Sequence, residues 1–165
     1  IYPCETKDLK AVIDKLELSG CKFEYSKHCI RIIPNQTLNS VDITTSPFPG
    51  FPTDLQAPFM ALMATANGTS QIKETIFENR MHHVKELNRM GAKITVKNNI
   101  AKVIGVKKLQ GKEVIGSDLR ATAALAIAGL SANGKTIVKG LEHLERGYEN
   151  FSEKFQEIGA SILKK

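Results

Sequence analysis

Five charged residues stand where their types and spacing could do chemistry: Asp54, Arg80, Asp118, Arg120 and Arg146. Asp54 follows Thr53 directly after a stretch holding Pro47, Pro49, Gly50 and Pro52. Thr-Asp-Leu-Gln over 53–56 has two readings. It is a capping-box pattern in which an acid stabilises a helix start against the macrodipole. It also puts a carboxylate on a rigid element, where it can accept a proton or bind a hydroxyl. Pro58 removes one early helical hydrogen bond and leaves the exact start of this helix open.

Asp118 and Arg120 repeat the arrangement, with Ser117 in front as the expected cap. Charges at i and i+2 do not face each other on a helix, so Arg120 points elsewhere. A guanidinium beside a helix start can clamp an anion, and a solvated or salt-bridged Arg is the plainer alternative. Arg80 and Arg146 sit in the equivalent Glu-Asn-Arg and Glu-Arg-Gly stretches. Both are expected after a strand and before a second helix, the loops where layered α/β units hold ligands. His82 and His83 follow Arg80 without an HxxxH or Cys partner, so no metal site is expected; His28 and His143 are lone. No nucleophile has an adjacent base.

The elements that must position these residues recur along the chain. Leu16-Glu-Leu-Ser-Gly20-Cys-Lys-Phe23, Leu87-Asn-Arg-Met-Gly91-Ala-Lys-Ile94 and Phe155-Gln-Glu-Ile-Gly159-Ala-Ser-Ile162 all read helix, Gly stop, strand. Gly at such a stop supplies a left-handed cap. The last two copies extend backwards: Thr53-Asp54-Leu55 matches Ser117-Asp118-Leu119, Asn67-Gly68 matches Asn133-Gly134, and Asn to Arg is 13 residues in both. Leu55, Phe59, Leu62, Met63 and Ala66, and Leu119, Ala123, Leu125, Ala126 and Leu130, carry helical periodicity in helices apolar nearly all round, hence buried. Strands are expected over 71–75, 93–96, 101–104, 113–115 and 136–139, with Asn98-Asn99 as a hairpin turn. A helix over 6–18 and a hairpin over 22–24 and 29–33 complete a partial first copy. The fold class is α/β, built of α-β-α-β-β units over 1–53 (partial), 54–116 and 117–165. The stretch 38–53 is a long connection between units, either a site loop or a plain surface connection.

Composition agrees with a compact domain. The chain has 165 residues, 42% hydrophobic and 24% charged, enough to bury a core and too apolar for disorder. The most apolar stretch, 121–130, is far short of the roughly 20 residues a membrane span needs. Cys4, Cys21 and Cys29 are odd in number and lack CxxC spacing, which supports neither a disulfide framework nor a zinc ribbon and fits a reducing cytoplasm. The net charge of +6 is scattered, favouring anionic ligands, and no nucleic-acid signature accompanies it. The chain begins with Ile1 and shows no signal-peptide pattern, so the expectation is a piece of a longer protein.

Pro49-Gly-Phe-Pro-Thr-Asp-Leu-Gln56, Glu74-Thr-Ile-Phe-Glu-Asn-Arg80, Ser117-Asp-Leu-Arg-Ala121 and Arg146-Gly-Tyr-Glu149 together resemble the UDP-N-acetylglucosamine 1-carboxyvinyltransferase family. The resemblance runs along essentially the whole chain in the order that family uses. The 3-phosphoshikimate 1-carboxyvinyltransferases share the fold and are less similar in these runs. The resemblance implies two domains of three units each, with buried central helices and outer sheets, of which this chain is most of one. It implies transfer of the enolpyruvyl group of phosphoenolpyruvate to the 3-hydroxyl of UDP-N-acetylglucosamine with release of phosphate, without metal or organic cofactor. That is a cytoplasmic step of peptidoglycan precursor synthesis, on which cell shape, the cell cycle and division depend.

By the same resemblance Asp54 is the carboxylate at the sugar hydroxyl, ligand and general base. Ile76 meets the nucleotide sugar through its backbone, and Phe77 packs beside the sugar or in the core. Arg80, Asp118, Arg120 and Arg146 line the cleft, Arg120 and Arg146 facing phosphoenolpyruvate. The family's catalytic Cys, N-terminal Lys-Asn pair and basic Cys-loop residues have no counterpart here, and none of the three Cys stands in the nucleophile's context. The missing N-terminal catalytic domain is therefore an expected partner, and the isolated chain is expected to be inactive. The alternative is a catalytically silent domain that binds a nucleotide sugar or serves in assembly.

Overall fold

The computed structural model describes residues 1–33, 35 and 37–164; residues 34, 36 and 165, which fall in the first and third expected units, lie outside the described residues. A 3-10 turn, Thr6–Leu9, leads into α1 (Lys10–Leu18), followed by the antiparallel hairpin β1 (Lys22–Ser26) and β2 (Cys29–Ile33). Next come β3 (Ile43–Thr44), a 3-10 turn Thr53–Leu55, α2 (Gln56–Met63), β4 (Thr69–Lys73), α3 (His83–Arg89), β5 (Lys93–Lys97) and β6 (Ile100–Ile104). The chain continues through β7 (Glu113–Ile115), α4 (Leu119–Ser131), β8 (Ile137–Lys139), α5 (Leu141–Glu145) and α6 (Phe151–Glu157).

The expected order α-β-α-β-β is met by α2, β4, α3, β5 and β6. Gly20, Gly91 and Gly159, the three helix stops, have φ of +103°, +91° and +94°, the left-handed region that costs an L side chain energy. Asn98 and Asn99 also have positive φ and turn β5 into β6.

The four-stranded sheet has the order β3-β4-β6-β5. Its first pair is parallel and the others antiparallel. Alternation puts Ser70 and Ile72 of β4 and Ala101 and Val103 of β6 inward. The register then aligns Ile43 with Ile72 with Ala101, and Ser70 with Val103 with Ile94, as rows on the core face. Gln71, Lys73, Thr95 and Lys102 face outward, so one side of the sheet is solvated. Between the layers α2 and α4 pack on each other. Phe59, Met60 and Met63 meet Ala124, Leu125 and Ala128 in one core with Ile72, Leu87 and Val103. The Ala positions of α4 let two helices buried nearly all round approach closely.

Two features depart from the sequence expectation. The connection 38–53 holds a strand, β3, parallel to β4, just as β7 is parallel to β8. Each central helix is thus the crossover of a β-α-β unit, which a two-residue strand inside a Pro-rich loop does not announce. The strand expected after Gly159 is not formed over 160–164. A strand exists through its hydrogen-bond ladder, and no described strand pairs with that segment.

Candidate functional site

Because α2 and α4 pack side by side from the same end, their starts meet. Asp54, on the 3-10 turn before α2, accepts a 2.6 Å hydrogen bond from Arg120 Nε across 66 residues of sequence. Arg80 Nη1 lies 3.7 Å from the same oxygen, Asp54 Oδ1. One carboxylate therefore sits between two guanidiniums at the open end of the central helices. Asp54 is 62% exposed, and its Oδ2 has no partner among the described residues. The Asp54 hydrogen bond makes Arg120 hold its proton above the ordinary Arg value, against the effect of partial burial. Asp54 and its two guanidiniums by themselves carry one net positive charge, and a charge-assisted Arg–carboxylate bond fixes their geometry.

Neither expected cap is used as such. Thr53 does not cap α2: its hydroxyl donates to Glu74 Oε2 at 2.9 Å and accepts from Arg80 Nη1 at 2.5 Å. Gln56, the other end of the capping box, is buried and donates to Met81 Sδ instead. In front of α4 the cap is Asp118 itself, which accepts from the N–H groups of Arg120 and Ala121, while Ser117 donates to Asp118. Partial burial opposes the ionised form of Asp118, but the Ala121 N–H, the Ser117 hydroxyl and the Arg120 N–H outweigh it and hold its pKa below the usual value. Its charge lies at the helix start rather than on Asp54.

The loop 74–80 supplies the rest of this wall. Glu74 is 3% exposed and acts as its anchor. Its Oε1 accepts from Thr45 Oγ1 at 2.8 Å, Ile76 N at 2.8 Å and Phe77 N at 3.2 Å. With the N–H of Ile76 committed to Glu74, its carbonyl is the backbone group left for a ligand. Phe77 is half-exposed, which excludes the core reading, and the Arg80 guanidinium lies 4.0 Å from its ring centroid. That cation–π contact and the Thr53 bond hold Arg80 beside Asp54.

Arg146 lies apart from the Asp54 cluster. The short helix α5 stands between β8 and Arg146, which sits on the turn before α6. There it borders an open cleft of about 530 Å³ with Tyr148 and Phe151, and it has no ion-pair partner among the described residues. Tyr148 links the two regions. Burial raises its pKa, Arg120 lowers it and Asp54 raises it, so the phenol lies in the field of that pair.

Sequence reasoning gave no role to Glu74, Thr45 or Tyr148. Glu74 had a signal: Ser70, Ile72 and Glu74 are the inward positions of one period-2 run, and an acid in such a row needs partners. Thr45 had none, and Tyr148 stood in the run Arg146-Gly-Tyr-Glu149 without a role of its own. No cluster of three or more metal-ligating side chains occurs among the described residues, and no described helix is long and apolar enough to cross a membrane.

Comparison with known proteins adds the following. Residues 2–155 match the family described as EPSP synthase (3-phosphoshikimate 1-carboxyvinyltransferase). The chain is 56% identical over 98% of its length to UDP-N-acetylglucosamine 1-carboxyvinyltransferase 2 of Prochlorococcus marinus, covering 38% of that protein. It is 53% identical over 98% of its length to the UDP-N-acetylglucosamine 1-carboxyvinyltransferase of Desulfosudis oleivorans, covering 39% of it. The chain thus spans well under half the length of these curated relatives. Among solved structures it is similar to the enolpyruvyl transferase NikO of Streptomyces tendae, with TM-score 0.83, 28% identity, and 93% of this chain and 36% of that one covered. EPSP synthase from Acinetobacter baumannii shares the fold, with TM-score 0.69 at 16% identity, covering 96% of this chain and 38% of that one.

Proposed function

The chain belongs to the EPSP synthase (3-phosphoshikimate 1-carboxyvinyltransferase) family, and on that premise we propose that it forms one wall of a UDP-N-acetylglucosamine enolpyruvyl transferase site. The reaction moves the enolpyruvyl group of phosphoenolpyruvate to the sugar 3-hydroxyl, through addition and then elimination. In the addition a C–O bond forms between the sugar oxygen and C2 of phosphoenolpyruvate, the hydroxyl proton leaves, and C3 gains a proton to give a tetrahedral ketal. In the elimination C3 loses a proton and the C2–O bond to phosphate breaks.

The observation that carries this reading is Asp54 held between Arg120 and Arg80 at the open start of the central helices. Asp54 Oδ2 is the acceptor for the hydroxyl proton while Oδ1 stays on Arg120, which fixes the base without removing its lone pairs. Arg120 and Arg80 supply positive charge for the phosphate and carboxylate of phosphoenolpyruvate, and Arg146, on the neighbouring turn, adds a third cation when the cleft closes. Asp118 sets the start of α4 and thereby Arg120. Ile76 and Phe77 present a backbone carbonyl and a ring face to the nucleotide sugar. The opposite wall, with the nucleophilic and basic groups that have no counterpart here, belongs to the N-terminal domain of the same enzyme. The product feeds cytoplasmic peptidoglycan precursor synthesis, and so cell-wall growth, shape and division.

The test is phosphate release from phosphoenolpyruvate in the presence of UDP-N-acetylglucosamine, using the full native polypeptide that contains this chain. Asp54→Asn is isosteric and reduces turnover about 100-fold or more, the scale on which a positioned base acts. Unchanged turnover with unchanged structure would remove Asp54 from the chemistry.

A further inference from the structure

Glu74 is a carboxylate that accepts four hydrogen bonds and is itself only 3% exposed. Three of its donors, Thr45 Oγ1, Ile76 N and Phe77 N, converge on Oε1. The fourth, Thr53 Oγ1, donates to Oε2 and in turn accepts from Arg80 Nη1. A carboxylate is acceptor-only and a hydroxyl has one proton, so Glu74 draws the Thr53 proton to itself and turns a Thr53 lone pair toward Arg80. Thr53 is the residue before Asp54, and Arg80 also lies 3.7 Å from Asp54. The Thr75 N–H donates to Thr45 Oγ1 and the Thr75 hydroxyl to the Thr45 carbonyl, which ties loop 74–80 to the segment after β3 a second time.

We propose that Glu74 and Thr53 are positioning residues: a Glu74–Thr53–Arg80 relay that sets the guanidinium of Arg80 against Asp54 for the transfer reaction. The inference rests on the proposed function and adds to it a buried acid that never meets substrate. Its chemistry explains why a full charge lies under a loop. Charge-assisted bonds are roughly twice as strong as neutral ones, and four of them on one group hold the loop and the start of α2 as one unit. Arg80 then approaches its ligand with its orientation already set.

A double-mutant cycle on kcat/KM in the full native polypeptide tests it, with UDP-N-acetylglucosamine and phosphoenolpyruvate as substrates. In Glu74→Gln the amide oxygen still faces Thr45 Oγ1 and the two backbone N–H groups while the NH2 faces Thr53, so the direction of the relay is reversed and the charge on its bonds is lost. A misplaced Arg80 makes Glu74→Gln cost about tenfold or more in kcat/KM. Acting through Arg80, it costs nothing further in an Arg80→Ala background. Thr53→Val, which keeps volume and removes the hydroxyl, behaves the same way, and Thr53→Ser restores wild-type kcat/KM. If Glu74→Gln does not fold, the Thr53 variants carry the test alone. Unchanged kcat/KM in Thr53→Val, or the full single-variant loss repeated in the Arg80→Ala background, overturns the relay. A wild-type protein without transfer activity would refute the proposed function instead. The relay is then read from the Arg80 guanidinium nitrogen resonances, resolved by slow rotation in the wild type and averaged in Thr53→Val. Averaged resonances in both overturn it.

Discussion

His83 opens α3 at 3% exposure, with Nε2 unpartnered among the described residues. Burial pushes its pKa from 6.5 down to about 4; Asp118 opposes this and His82 adds to it. The folded state thus refuses a proton that the unfolded chain accepts near the ordinary value. Between those two values the unfolded state binds more protons, so stability rises with pH and is lost on acidification. The pKa gap of about 2.5, at about 1.36 kcal/mol each, amounts to about 3 kcal/mol when the pH has fallen below the folded value. Between about pH 7 and about pH 5 the same linkage removes about 2 kcal/mol, before most carboxylates protonate. The assay is urea unfolding of the wild type and His83→Leu at both pH values. Leu fills the site without an unsatisfied nitrogen, so the variant folds and loses about 2 kcal/mol less than the wild type over that interval. His28, His82 and His143 are present in both proteins and cancel. Equal pH dependence in the two would show that His83 does not stay neutral in the fold, and the burial argument would fail.

Two stability changes follow from the helix that carries Arg120. Asp118→Ala removes the cap of α4 and costs about 1 kcal/mol by thermal or urea unfolding, whereas Asp118→Asn keeps an oxygen on both N–H groups and costs less. Because the folded pKa of Asp118 lies below its ordinary value, its charged contribution is present above about pH 4 and lost as the pH falls through the folded value; a wild type as insensitive there as Asp118→Asn would contradict this. Ala124→Leu adds volume at a 0% exposed position in the α2–α4 contact and costs about 1 to 3 kcal/mol, read as a lower urea midpoint at unchanged slope.

What the sequence reveals and what it conceals divide along one physical line. Gly20, Gly91 and Gly159 were legible as helix stops because a left-handed cap selects residue type locally, and the burial of Leu125 was legible from period. The runs around Asp54, Arg80 and Arg120 carried a family resemblance that the comparisons bear out. The partners of those residues were not legible, because a hydrogen bond across 66 residues leaves no local periodicity. Thr53 and Ser117 read as caps since their type and position satisfy the rule, yet competition for hydrogen-bond partners engages each elsewhere. Asp118, the stronger acceptor, takes the N–H groups of α4 in place of Ser117, and the Thr53 oxygen accepts from Arg80 rather than from a helix N–H. The same competition organises the site. Glu74, Arg80, Asp54 and Arg120 alternate in sign, through the Thr53 hydroxyl at the first step. Each is carried by a helix start or the loop after β4, and these meet because α2 and α4 bury their apolar surfaces against each other. The charge pattern is therefore held in place by core packing, and a substitution such as Ala124→Leu, which touches no charged group, should disturb Arg120 and Asp54 as well as stability.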